Sequence, residues 1–215
     1  QAMSSAASDV YKRQISDCVQ LGLDDLTIRT SMLEKRYLCG SRDLFEELET
    51  TLKKKVFSKK ASNFVEGKLS ERAERHLKHA NARYMLEPNI KEGKGGLRDL
   101  HTLYWISKYI YRTDNIQSLI EKKIFKKSEL EIFTEAENFL WFIRCKIHQI
   151  SGYANEKLYF NIQADLAKSL KIEDDNSRRG VEIFMQKYFL QAKNVGDLTR
   201  ICLLYTSPSP RDSAS

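Results

Sequence analysis

The apolar residues of this 215-residue chain recur at helical spacing along almost its whole length. An acidic start at Asp24 and a stop at Gly40 bound one predicted helix, and Ser41 can cap the next one to make a helical hairpin. A long, highly charged helix follows from Ser62 or Asn63 to about Tyr84, and it is predicted to be mostly solvated. Three strongly apolar helices are predicted at 97–110, 128–151 and 181–198. Since no segment alternates for long with period two, the sequence predicts an all-α helical bundle.

The loop before the first of these apolar helices is irregular. It contains Gly93, Gly95 and Gly96, three of the nine glycines, and Pro88, which keeps Glu87 in an extended conformation. A helix N-terminus with free N–H groups would favour an anion, and basic residues lie close by in the loop. The residues alone leave two interpretations open, a loop that faces phosphate and a tight turn between domains.

The two ends of the chain differ from the rest. Residues 1–14, before the predicted helices, and residues 202–215, after them, are rich in serine. Their apolar residues do not recur at helical spacing. Both resemble translated sequencing-adapter read-through, so we expect them to be non-native ends that take no part in function. On this interpretation the chain is an internal fragment of a longer protein.

Composition and charge indicate a globular protein with a basic surface. The chain is 41% hydrophobic, carries a net charge of +7, and lacks the run of about 18 apolar residues that a membrane span needs. We therefore expect a cytoplasmic protein without a membrane segment. Lysine runs at 53–55 and 122–127 lack interleaved aromatic residues, so nucleic-acid binding is disfavoured against a solvated basic face.

Histidines and cysteines give no metal-binding pattern. The four cysteines are scattered without CxxC spacing and are predicted to be reduced, mostly packing thiols. His76 and His79 lie one turn apart on the charged helix, but no cluster of cysteine or carboxylate residues joins them. A solvated helix face is the favoured interpretation of this pair.

The stretch "EPNIKEGKGGLRDLHTLYW" resembles a signature of the bacterial bifunctional uridylyltransferase/uridylyl-removing enzymes. The segment "DDLTIRTSMLEKRYLCGS" is similar to the helix pair that closes their nucleotidyltransferase domain. The segments "NEKLYFNIQADLAKSL" and "VEIFMQKYFLQAKNVGDLTRI" are similar to their next helical domain. The resemblance covers Ser16 to Ile201. It implies C-terminal helices of a nucleotidyltransferase domain at 15–84 and a helical PII-uridylyltransferase domain at 85–201.

The resemblance also implies an activity for the parent enzyme. The family transfers UMP from UTP to a tyrosine of the nitrogen-regulatory protein PII, uses Mg²⁺ held by carboxylates, and responds to glutamine. The Gly-Ser and Asp-x-Asp segment that supplies those carboxylates is absent from this sequence, as is the histidine-rich domain for UMP removal. The fragment is therefore expected to be inactive alone and to hold neither catalytic residues nor metal ligands.

Two groups of residues are candidates for the site by this resemblance. The loop would face the nucleotide through Lys91 and Arg98, with a shape set by Asn89, Gly95, Gly96 and Asp99. Arg144 and His148 form a second candidate pair, for which a polar link between helices is the favoured alternative. Two other functions stay open, a non-catalytic helical interaction module and, less favoured, a nucleic-acid-binding bundle.

Overall fold

The chain folds as an assembly of helices. The computed structural model describes residues 14–78, 86–113, 118–122, 124–175 and 177–206, with side chains to residue 200. Within these residues there are nine helices and no strand. In chain order they are α1 Ile15–Asp24, α2 Leu26–Leu33, α3 Arg42–Lys55, α4 Ala61–Lys78, α5 Leu97–Tyr111, α6 Ser118–Glu121, α7 Lys127–Ser151, α8 Phe160–Ser169 and α9 Gly180–Thr206. The predicted all-α fold is confirmed.

Local chemistry sets several helix ends as the sequence predicts. The Ser41 hydroxyl accepts a bond from the N–H of Leu44 at 3.3 Å and caps α3, and Gly152 ends α7 in the left-handed conformation. The predicted extension of α2 to Gly40 is wrong, because the helix ends at Leu33. The chain leaves the helical path there, and the ring of Tyr37 packs 5.7 Å from that of Phe45.

Helix α4 is mostly solvated, as its composition predicts. It buries Phe64, Val65 and Lys68, and the Phe64 ring stacks on Tyr109 of α5 with 4.1 Å between centroids. Since only these three of its 18 residues are buried, the expectation of a mostly solvated helix agrees with the structure, apart from the burial of Lys68. Residues 79–85, which include His79, lie outside the described residues.

Two hydrophobic clusters share helix α5. The larger cluster joins apolar residues of the loop, α5, α6, α7, α8 and α9. The smaller cluster joins α1, α2, α3 and α4 to the opposite side of α5, through Trp105 and Tyr109. The Tyr109 hydroxyl also donates to the Val56 carbonyl at 3.3 Å. Helix α5 is thus packed on both sides, and the irregular loop that precedes it lies at the junction of the two clusters.

The described surface holds free thiols. Cys18 is half-buried, whereas Cys39 and Cys145 are exposed, so the expectation of mostly packing thiols is wrong for those two. No helix of the described chain combines the length and apolar character needed to cross a membrane. Most of the predicted non-native ends, 1–14 and 202–215, lies outside the described residues, although the backbone of α9 continues to Thr206.

Candidate functional site

The loop at 86–96 is fastened to the segment before α8. The Ile90 N–H donates to the Glu156 carbonyl at 2.9 Å, and the Leu158 N–H donates to the Pro88 carbonyl at 2.9 Å. Between these two bonds the backbone forms an isolated antiparallel bridge. An otherwise irregular loop is therefore held by a single β-bridge to a segment about 70 residues further along the chain.

Asn89 shapes the turn that follows the bridge. Its side-chain oxygen accepts the backbone N–H groups of Lys91 at 2.9 Å and Glu92 at 2.7 Å. This is the side-chain turn for which asparagine is well suited, because the amide oxygen takes the place of a backbone carbonyl. The structural role predicted for Asn89 matches this geometry.

Gly95 and Gly96 allow the loop to pass very close to other backbone. Gly95 has a φ of +75°, and a Cβ built there would lie 2.0 Å from the Ala192 carbonyl oxygen of α9. A Cβ at Gly96 would lie 2.6 Å from the Ile90 carbonyl oxygen. Both positions require glycine for close approach, and Gly95 also requires it for its left-handed conformation.

The start of α5 is not open to an anion. The Leu97 N–H donates to the Ile90 carbonyl at 3.0 Å, and the Arg98 N–H donates to the Lys91 carbonyl at 2.9 Å. The expectation of free N–H groups at this helix end is therefore wrong, since the loop folds back and satisfies them. Any attraction for phosphate has to come from side chains.

Asp99 is the centre of a buried ionic cluster. Its side chain is 1% exposed and accepts from Arg75 Nη2 at 2.7 Å and Arg72 Nε at 3.3 Å. His76 Nε2 lies 3.0 Å from both carboxylate oxygens, and the Gly95 N–H donates to Oδ2 at 3.0 Å. Asp99 thus ties α4 to the glycine turn and to α5. His76 serves this cluster, so its predicted placement on a solvated face is wrong.

The surroundings of Asp99 favour its charged form. Burial alone would raise its pKa, but hydrogen bonding from His76, the charges of Arg72 and His76 and the Gly95 N–H together lower the pKa to about 2. The ordinary value for this carboxyl is 3.8. A carboxylate with its pKa lowered by the fold stabilises the folded state above its unfolded pKa and loses that contribution as the pH falls.

We therefore expect an acid-dependent loss of stability that depends on Asp99. The free energy of unfolding should fall by about 2 kcal/mol from this group alone as the pH drops from about 5 to 2, at 1.4 kcal/mol per unit of pKa shift. The measurement is urea unfolding at a series of pH values. Asp99→Asn should be less stable at pH 7 and should lack this component. An equal acid response in both proteins would contradict the assignment.

Lys91 and Arg98 lie beside the glycine turn and share one weak partner. Lys91 Nζ and Arg98 Nη2 are each 3.6 Å from the same Glu92 oxygen. The Arg98 guanidinium also lies over the Trp105 ring, 5.7 Å from its centroid, and the side chain is 32% exposed. Arg98 is therefore oriented by an aromatic face and remains accessible to a ligand.

Arg144 forms a tighter pair on α7. Its Nη2 and Nε bond the two oxygens of Glu156 at 2.7 and 2.9 Å, and its guanidinium lies 4.9 Å from the Trp141 ring centroid. His148 Nε2 lies 3.7 Å from Glu156 and has no hydrogen-bond partner among the described residues. Since the Glu156 carbonyl also receives the Ile90 N–H, Arg144 links α7 to the loop.

His101 joins the two candidate groups. Its ring centroid lies 5.6 Å from that of Trp105 and 6.1 Å from that of Trp141. Burial, and then the positive charge of Arg98, lower the pKa of His101, which favours its neutral form. Helices α5 and α7 thus each contribute three residues to one surface, and along each helix these residues are three and then four positions apart. We call this set the Arg–Trp surface: Arg98, His101 and Trp105 of α5 with Trp141, Arg144 and His148 of α7.

Sequence reasoning found part of this surface. It selected Arg98 from the loop signature and the pair Arg144 and His148 from the resemblance, and the structure brings all three to neighbouring helix faces. It missed His101, Trp105 and Trp141 as site residues. A sequence signal for these residues was available. On both α5 and α7, a histidine lies three or four positions and a tryptophan three or seven positions from an arginine, which places them on the same helix face.

The described residues do not provide a metal site. No three histidine, cysteine, aspartate or glutamate side chains come together among them in a way that could hold an ion. Asp99, the most buried carboxylate near the loop, already receives bonds from two arginines, His76 and a backbone N–H. Its oxygens are therefore unsuited to Mg²⁺, which requires free oxygen ligands.

Comparison with known proteins identifies relatives of the chain. Three curated bacterial proteins, each named bifunctional uridylyltransferase/uridylyl-removing enzyme, match most of it. The Ruegeria pomeroyi protein is 49% identical over 191 residues, which is 89% of this chain and 21% of the relative. The Rhodospirillum rubrum protein is 49% identical over 189 residues, 88% of this chain and 20% of the relative. The Azospirillum brasilense protein is 44% identical over 200 residues, 93% of this chain and 21% of the relative.

These matches concern a limited part of larger proteins. The chain spans about a fifth of the length of the curated relatives it matches. No solved structure matches it. The family model described as GlnD PII-uridylyltransferase matches residues 63–203, which include the loop and both helices of the Arg–Trp surface. The chain therefore belongs to the GlnD PII-uridylyltransferase family.

Proposed function

We propose that this chain is part of a PII uridylyltransferase that transfers UMP from UTP to a tyrosine of PII, and that its Arg–Trp surface faces the nucleotide. Family membership supports the reaction class. The observation that carries the placement is the pairing of Arg98 and Arg144 with tryptophan faces on either side of His101. Of the two tryptophans, the exposed Trp141 offers a face for stacking, and the arginines offer charged donors for phosphate.

The two arginines have different roles in this proposal. Arg98 makes only a 3.6 Å contact with Glu92 and is partly exposed, so it can turn to a phosphate oxygen at small cost. Arg144 is held by two short bonds to Glu156, whose backbone fastens the loop. Arg98, with Lys91 beside it, would bind the nucleotide. Arg144 would act as a positioning residue for the loop.

Two unsatisfied polar atoms support a missing ligand at the surface. Trp105 Nε1 and His148 Nε2 are buried and have no hydrogen-bond partner among the described residues. Buried polar atoms are nearly always bonded in native proteins, and two of the four such atoms among the described residues belong to the Arg–Trp surface, which favours a further partner there.

The rest of the reaction would depend on other parts of the parent enzyme. Mg²⁺ would be held at the α-phosphate by carboxylates elsewhere in that enzyme, in keeping with the full engagement of Asp99. The proposal includes glutamine as effector, PII as protein substrate and a cytoplasmic location. Removal of UMP, named for the relatives, would require a further domain.

A chimera tests the proposal. We expect the Ruegeria pomeroyi enzyme to keep transferring UMP from UTP to PII after residues 63–201 of this chain replace its matching segment. The 215-residue chain alone should not label PII at any Mg²⁺ concentration, because no carboxylate cluster is available in its described part to stabilise the transition state. A correctly folded chimera without transferase activity, or labelling by the isolated chain, would refute this assignment.

A further inference from the structure

A cavity of about 380 Å³ lies at the far end of α5 from the loop. It lies where the C-terminal ends of α2, α3 and α5 meet, and it is partly open to solvent. Its lining consists of Leu33, Lys35, Lys53, Phe57, Ser58, Lys108, Arg112 and Thr113. Arg98 and Arg112 are 14 residues apart on or beside α5, so the cavity lies about 20 Å from the Arg–Trp surface at 1.5 Å per residue. The volume falls in the range of small-molecule sites, which is about 300–1,000 Å³.

The cavity is strongly basic. Among the described residues, eight line the cavity, of which four are lysine or arginine and none is acidic. Lys35 is paired with Glu49 at 3.1 Å, outside the lining. Within the described chain, neither Lys53 nor Arg112 forms an ion pair with a carboxylate. Lys53 and Arg112 are both exposed. Cations gathered around one space repel one another, and a bound anion would relieve that repulsion.

Arg112 also adopts a backbone conformation that is uncommon for its residue type. It ends α5 with a φ of +51°, and its guanidinium lies 4.8 Å from the Tyr109 ring centroid. A left-handed arginine costs about 1–2 kcal/mol relative to the usual conformation. The exposed guanidinium thus lies against an aromatic face at the edge of the cavity.

The helix dipoles do not account for all four charges. A basic residue at a helix C-terminus is favourable, but the effect is confined to the last turn and is about 0.3–1 kcal/mol. The last turn of α3 already contains Lys54 and Lys55 besides Lys53, and the end of α5 has both Lys108 and Arg112. The dipoles also give no reason for an open space between the cations.

We propose that this cavity binds a polyphosphate group, with Lys53 and Arg112 as its principal ligands and Lys35 and Lys108 as supporting charges. The bound group would be a di- or triphosphate, whether free or part of a nucleotide. Phe57 and Leu33, both nearly buried, form an apolar floor that excludes water from one side and strengthens the charge interactions. This site is separate from the Arg–Trp surface and does not depend on its role.

Calorimetric titration at fixed ionic strength tests the proposal, with tripolyphosphate, UTP and UMP as probes. The 215-residue chain used for it carries Arg98→Ala, which removes the nucleotide ligand proposed for the Arg–Trp surface and leaves the cavity intact. We expect tripolyphosphate to bind with a Kd below about 1 mM, and UTP to bind within about threefold of it, since the phosphate chain is what the cavity recognises. UMP should bind at least tenfold more weakly. UMP binding as tight as tripolyphosphate, or UTP binding far tighter, would overturn the assignment to the phosphate chain.

Charge-matched variants separate the cavity from general attraction to a basic protein. Lys53→Gln and Arg112→Gln should each weaken tripolyphosphate binding at least about tenfold, as expected for loss of one charge-assisted bond. Lys146→Gln, which removes an exposed charge from α7, should change the Kd less than twofold. Binding that is absent in the unmodified chain, or equally weakened in all three variants, would refute the site. Melting temperatures confirm that each variant is folded.

Discussion

Arg98→Ala should lower kcat/KM for UTP by about tenfold to a thousandfold in the chimeric uridylyltransferase that contains this segment. This corresponds to a loss of about 1.4 to 4 kcal/mol of transition-state stabilisation, the range for a charged donor in an active site. The side chain is accessible, oriented over the Trp105 ring, and weakly held by Glu92. Its removal should affect folding little, because an exposed contact between a cation and an aromatic ring contributes about 0.5–1 kcal/mol.

Lys94→Ala provides the matched control, since Lys94 is an exposed cation of the same loop. Its kcat/KM should stay within about twofold of the parent, a change of roughly 0.4 kcal/mol. Kinetics and melting temperature should be measured on the same preparation of each variant. An Arg98→Ala enzyme that is destabilised but turns over UTP normally would show that Arg98 only supports the turn between the two hydrophobic clusters.

Gly95→Ala should destabilise the chain by about 3 kcal/mol or more, a loss typical of a backbone clash combined with an unfavourable conformation. The added methyl group would lie 2.0 Å from the Ala192 carbonyl oxygen and 2.6 Å from its carbonyl carbon. Because these are backbone atoms of α9, they cannot move aside as a flexible side chain could. The loop would have to separate from α9 and release the Asp99 cluster with it. Urea unfolding of the 215-residue chain measures the loss.

Gly152→Ala separates the two causes of this loss. Gly152 has a φ of +74°, nearly the same as Gly95, but nothing lies within 4 Å of a Cβ placed there. Its substitution should therefore cost only the conformational part, about 1–2 kcal/mol. Similar losses at the two glycines would mean that α9 yields to the methyl group, and the close approach would then not be a constraint on the fold.

Parts of the fold follow from local sequence because their signals are local. The apolar stripes of α5, α7 and α9 face a continuous core, so the period of 3.6 is regular over many turns. Gly152 and Ser41 end or begin helices through their own conformation and hydrogen bonding. These features depend on residues within a few positions of one another, and the sequence is sufficient to predict them.

Other parts depend on contacts that the local sequence does not contain. The early end of α2 accompanies packing of Tyr37 on Phe45. The basic residues Arg72 and His76 of α4 are held by Asp99, 23 to 27 residues further along. From the local sequence these charged residues of α4 are expected to face solvent, because the carboxylate that pairs with them lies in another helix. The same reason explains why a free helix N-terminus was expected at α5, where loop carbonyls satisfy the N–H groups.

The candidate site shows the same division. Glycine and proline marked the loop, because their backbone preferences can be read from the residue type. The pairing of His101 with Trp141 could not be predicted in this way, since it depends on how α5 and α7 cross. Each stripe of arginine, histidine and tryptophan is visible alone, but only the tertiary structure shows that the two stripes form one surface.

The sharing of α5 by both hydrophobic clusters has a consequence for cooperativity. Unfolding of the smaller cluster would expose Trp105 and Tyr109, and unfolding of the larger would remove the support of Leu100 and Leu103 on the same helix. Because neither cluster can melt while α5 stays fully packed, we expect the two clusters to unfold together as one cooperative unit. Helix α5, fifteen residues long, also connects the glycine turn at its start to the basic cavity at its end.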